Sequence, residues 1–97
     1  MREISDEKLE TYFSITKEAL EKANAAPKDK SRREYAEDFL DMSTRYFEDA
    51  KHFRDKGEIV DAFAALNYAH GWLDAGARIK LFKVSDSRLF TVDDELH

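Results

Sequence analysis

Residues 58–82 restrict the fold of this chain more than any other stretch. Projected as a helix at 100° per residue, Asn67, Gly71, Asp74 and Arg78 gather on one narrow polar strip. The rest of the circumference is apolar. Tyr68, Trp72 and Ile79 lie on one flank, Ala62, Ala65, Ala69 and Gly76 in the middle, and Ile59, Phe63, Leu66 and Leu73 on the other flank. That arc is roughly 220° wide, more than twice the stripe of an ordinary amphipathic helix. Such a helix is expected to be the central one, packed against every other helix in the chain. Gly76 falls in line with Ala62, Ala65 and Ala69, which predicts a small-residue seam facing the large side chains Tyr12, Phe13, Phe39, Tyr46 and Phe53 of its neighbours. Gly71 lies on the polar strip instead. It costs about 1 kcal/mol against Ala, and packing within one chain gives no reason for it.

Two further helices precede this one. Ser5 is an N-cap followed by Asp6 and Glu7, with Ile4 and Leu9 at the spacing of a hydrophobic staple. Leu9, Tyr12, Phe13, Thr16, Ala19, Leu20 and Ala23 then trace one stripe, which Asn24 to Lys30, with Pro27, brings to an end. Ser31-Arg32-Arg33-Glu34 matches a capping box. The stripe expected after it is Tyr35, Phe39, Met42, Tyr46, Ala50 and Phe53, widened by Leu40 and Phe47. Gly57 suits the position just past a helix end, and so short a connection predicts an antiparallel hairpin. The expected architecture is all-α: an antiparallel, up-down three-helix bundle over residues 1–84, with helices at about 5–25, 31–56 and 58–82. Residues 85–97 form a short C-terminal extension. Its run Leu89-Phe90-Thr91-Val92 is too apolar to prefer water and is expected to fold back on the bundle, leaving the acidic tail Asp93 to His97 mobile.

Composition narrows the function classes. A chain of 97 residues with one proline and three glycines suits a single helical domain. No cysteine is present, so disulfides, thiolate metal sites and cysteine nucleophiles are excluded, and a reducing, cytoplasmic setting is expected. The net charge of −5 opposes nucleic-acid binding; the patch Lys28 to Arg33 is too short to reverse it. No run is apolar enough for a bilayer, and the start of the chain carries no signal-peptide pattern.

The run "YFEDAKHFRDKGEIVDAFAALNYAHGWLDAGARIKLF", Tyr46 to Phe82, resembles the core of an uncharacterised family of short archaeal proteins, domain-of-unknown-function family 357. The segment "AFAALNYAHGWLDAGAR" and the later "LFTV" carry the likeness in most detail. The resemblance implies an all-α three-helix bundle and an archaeal source, and brings no activity, cofactor or catalytic residue. More loosely, Ala50, Gly57, Ala62 and Ala69 are spaced as in tetratricopeptide and microtubule-interacting-and-transport hairpins.

Two pairs of side chains bear on chemistry. His70 and Asp74, four apart, could present two metal ligands, but a third is missing, since Asn67 is a poor donor and His52 is on another helix. The simpler expectation is that His70 sits at the core edge bonded to a carbonyl or hydroxyl, with Asp74 paired to Arg78. Arg45 and His52 resemble the Arg–His spacing of helical ribonucleases of the higher-eukaryote-and-prokaryote nucleotide-binding class, in which Arg could stabilise a phosphate and His move a proton. Such pairs arise readily on any charged helix. The expectation is therefore a non-enzymatic interaction module without cofactor or metal, binding a protein partner or a second copy. Its candidate surface is Asn67, His70, Gly71, Trp72, Asp74 and Arg78. The alternatives are a ribonuclease-like enzyme using Arg45 and His52, or a metal- or ligand-binding bundle using His70 and Asp74.

Overall fold

The Ser5 hydroxyl accepts the Lys8 amide at 3.1 Å, which starts the first helix where its sequence signals place it. The computed structural model of the chain describes residues 4–92. It contains three helices, α1 (Asp6–Ala25), α2 (Arg33–Asp55) and α3 (Ile59–Arg78), with a single 3-10 turn at Lys30–Arg32. They pack as an all-α three-helix bundle.

Contacts set the register. Phe13 meets Phe47 edge-on and Glu10 pairs with Arg54, joining α1 to α2. Tyr46 stacks on Tyr68, the Ser43 hydroxyl donates to the Ala69 carbonyl, and Phe39 meets Trp72, joining α2 to α3. In both sets the numbers rise along one helix as they fall along the other, the register of helices running in opposite directions. The α2–α3 reversal is a Schellman turn. Gly57 adopts a positive φ of 79°, and the amides of Gly57 and Glu58 bond to the carbonyls of Arg54 and Phe53.

Four expectations need correction. First, α2 begins at Arg33 without a capping box. Asp29 accepts both the amide and the hydroxyl of Ser31, each at 2.9 Å, so Ser31 belongs to the 3-10 turn. Arg32 and Ser31 together hold the Asp29 carboxyl down to about 2. Second, the buried line of α2 is Ala36, Leu40, Ser43, Phe47 and Ala50, while Tyr35 is exposed and Phe39, Met42, Tyr46 and Phe53 are only half-buried. Third, α3 ends at Arg78, four residues short of Phe82. A second Schellman turn stops it, with Lys80 at φ 64° and the Leu81 amide bonded to the Gly76 carbonyl at 2.8 Å. No glycine marks that turn. Fourth, the nearest neighbour of Gly76 comes from beyond α3 and not from α1 or α2. A Cβ there would strike the ring of Phe82, which is fully buried.

Beyond α3 the chain turns back as a strap over residues 79–92. The Asp29 amide bonds to Leu81 and the Lys83 amide to Pro27, a lone antiparallel bridge to the α1–α2 connection. The basic patch of that connection is used internally. Lys28 Nζ reaches the carbonyls of Ala23, Asn24 and Ala26 at the end of α1, and Arg32 binds Asp29 and the Ile79 carbonyl. Leu81, Phe82, Leu89 and Phe90 join Leu40 and Leu73 in one core cluster, and Leu9, Phe13, Phe47 and Leu66 centre the other. The expected acidic tail, Asp93 to His97, lies outside the described residues.

Candidate functional site

α3 was expected to present Asn67, His70, Gly71, Trp72, Asp74 and Arg78 as one surface. The structure does not present them as one surface. His70 and Asp74 fasten the strap. The His70 Nε2 is 2.5 Å from the Leu89 carbonyl, which can only accept, so Nε2 carries the proton. Nδ1 lies 3.2 Å from the buried Thr16 hydroxyl of α1, which can donate to it. His70 thereby ties α1, α3 and the strap together. Asp74 Oδ1 accepts the Thr91 amide at 2.8 Å. Two ion pairs secure the other edge: Asp86 with Lys22 at 3.1 Å and Arg88 with Glu18 at 2.6 Å. The Arg88 guanidinium holds the Glu18 carboxyl below its ordinary value, and the Lys22 ammonium does the same for Asp86.

Asn67 and Gly71 lie beside His70 and Asp74. They line an open groove of about 640 Å³ between α1, α3 and the strap, with Tyr12, Ile15 and Ser87 among the other walls. Trp72 turns the opposite way, onto α2, where its ring meets Phe39 edge-on at 4.9 Å and its buried Nε1 makes no hydrogen bond. Arg78 is exposed at the end of α3 and makes contacts within the chain.

A third feature escaped the sequence analysis. α1 and the strap cover one side of the α2–α3 hairpin, and no described element covers the other. Val60, Tyr68 and Ile79 are 74%, 54% and 49% exposed, and Tyr35 at the nearby end of α2 is 63% exposed. Ala64, Gly71 and Ala75 are exposed between them, with Asp61, Asn67 and Arg78 alongside, so apolar positions recur along the outer length of α3 among polar ones. Phe39, Met42 and Tyr46, half-buried, extend it towards α2. The signal was present in the 220° arc: roughly that much apolar surface exceeds what two neighbours and a strap can cover.

The residues of the alternative readings are placed as follows. Arg45 is exposed and pairs with Asp41 at 2.9 Å; His52 is exposed with its ring 6.2 Å from that of Phe53. Neither lines the groove. Among the described residues no three His, Asp or Glu side chains gather as a metal would need, and no helix is long and apolar enough to cross a membrane.

A family model described as "Protein of unknown function (DUF357)" matches residues 11–82, from the first turns of α1 through α3 to Phe82. Neither a curated protein nor a solved structure matches the chain.

Proposed function

The chain belongs to the DUF357 family, for which no function is described, and we propose that it is a small non-enzymatic module that binds protein through the uncovered side of α2 and α3. One observation carries this: Val60 and Tyr68 on α3 and Ile79 just past its end, large apolar side chains about two and three turns apart, are 74%, 54% and 49% exposed. Single exposed apolar residues are ordinary, whereas several on one face that no described element covers favour a contact surface. Gly71 adds support, because a Cβ at this position would meet nothing within 4 Å in the chain. Its own fold therefore gains nothing from the missing side chain. We place the module in the cytoplasm, in keeping with its cysteine-free, acidic sequence. The ribonuclease-like reading has less support, since Arg45 is paired with Asp41 and neither it nor His52 lines the groove, and the metal reading loses His70 and Asp74 to the strap.

The test compares the parent chain with Val60→Glu/Tyr68→Glu as bait in extract from the native organism, quantifying every protein retained, including further copies of the chain. Both sites are exposed, but Tyr68 also packs on Tyr46, so melting the variant beside the parent checks its fold. Proteins held by the parent and lost by the variant are the expected result. Identical retention would remove this face from consideration.

A further inference from the structure

The occupant of this face is written in its own spacing. We propose that a second copy of the chain docks there, with α3 packed antiparallel against its counterpart about a two-fold axis passing between Ala69 and His70. The inference rests on the reading of this face as a contact surface.

Asp61, Ala64, Tyr68, Gly71, Ala75 and Arg78 follow one another at intervals of three and four along outer α3, the spacing of a helix–helix seam. Reversing the helix about that axis brings Tyr68 opposite Gly71 of the other copy, Ala64 opposite Ala75, and Asp61 opposite Arg78. Each juxtaposition is complementary. The Tyr68 ring is half exposed, and the space beside Gly71 is open. The alanine layers let two helix axes approach to the near end of about 8–10 Å, the range of packed helices. The end layers join opposite charges. Val60 and Ile79 flank those ends, where each would cover the other copy's apolar edge.

A parallel pairing of the same faces would set Asp61 against Asp61, Arg78 against Arg78 and Tyr68 against Tyr68. An unrelated partner would require no relation between the two ends of the helix. Here a bulky residue and a gap, and a negative and a positive charge, are placed symmetrically about one point. That is the property of an isologous surface. Beside the seam, the half-buried rings of Tyr46 and Trp72 neighbour Tyr68, and Phe39 meets Trp72.

Sedimentation equilibrium of the full chain over a concentration series tests this. The parent is expected to pass from 11.3 kDa to twice that mass as its concentration rises. Gly71→Leu, whose Cβ would meet nothing of its own chain within 4 Å, should raise the dimer Kd by about tenfold or more through overpacking. Asp61→Arg and Arg78→Asp should each weaken the dimer, and the double reversal should restore it. Melting at dilute concentration checks each fold, because Arg78 also has contacts within its chain. A parent that stays monomeric at millimolar concentration overturns the second copy as occupant; protein still lost from the Val60→Glu/Tyr68→Glu bait would then leave the broader reading standing. A dimer indifferent to Gly71→Leu and to the charge reversals overturns both. A dimer broken by Gly71→Leu but not restored by the double reversal overturns the antiparallel register.

Discussion

Gly71 and Gly76 stand five residues apart on α3 and meet opposite surroundings. Around Gly76 the chain closes on itself: Phe82 lies across the bare backbone, and Leu81, Leu89 and Phe90 complete the cluster. Around Gly71 nothing of the chain comes within reach of a Cβ. The same residue type therefore answers two different needs. At Gly76 the strap supplies the close neighbour that offsets the helix-propensity cost. At Gly71 that cost is not offset inside the molecule, which directs attention outward. At Gly76 α3 is closed by its own strap, whereas at Gly71, on the rim between the groove beside the strap and the uncovered face, it remains open.

Removing the strap should have the largest effect. A chain ending at Val84 loses the buried side chains of Leu89 and Phe90, together with the His70, Asp74 and Glu18 bonds that hold them. At about 1.5–3 kcal/mol for each large side chain, the loss should exceed about 3 kcal/mol in denaturant unfolding. A truncated chain as stable as the parent would mean that the two sides of α3 are less different than their burial implies.

The two glycines provide a sharper comparison. Gly76→Ala should destabilise by about 1–3 kcal/mol despite the better helix propensity of alanine, because the Phe82 ring is buried and cannot retreat. Gly71→Ala should do the reverse, stabilising the dilute monomer by about 0.4–1 kcal/mol. Melting both variants beside the parent measures both signs at once. Equal signs would erase the distinction.

The contrast was only half legible in the sequence. Hydrophobic spacing placed all three helices, because stripes at intervals of three and four admit no other periodic structure. Ser5 and Gly57 marked their ends through side-chain oxygen and backbone freedom, and both act as expected. The end of α3 was not legible, because Lys80 occupies a left-handed position that usually announces itself with glycine. The centre of α2 was misplaced by one residue for a related reason. Ala36 and Ser43 carry little hydrophobic signal, yet they are fully buried where α2 packs most closely, and the Ser43 hydroxyl is satisfied by the Ala69 carbonyl. Tyr35 and Phe39 carry a strong signal and lie at the margin. At the candidate site, the sequence predicts His70 at the core edge, bonded to a carbonyl or a hydroxyl, and the structure gives it both. Spacing could not show that the carbonyl belongs to Leu89, since a contact nineteen residues away depends on where the strap returns.

The smallest expected effect is on pH dependence, and it separates the exposed edge of the strap from its buried one. Arg88 holds Glu18, and Lys22 holds Asp86, below their ordinary values. A carboxylate depressed by folding adds stability that is present above its unfolded value and lost as the pH falls through its folded value. The strap edge should therefore weaken only on acidification below the ordinary carboxylate range, and stay unchanged between neutrality and that range. Both pairs face solvent, where screening keeps such contributions small. Arg88→Gln removes the partner of Glu18 while leaving Leu89 and Phe90 in place. Its melting temperature should lie slightly below that of the parent at neutral pH, and the gap should close as acid protonates Glu18. A gap that persists into strong acid would mean that Arg88 acts through packing, and that the apolar contacts of Leu89 and Phe90 alone hold the strap to α3.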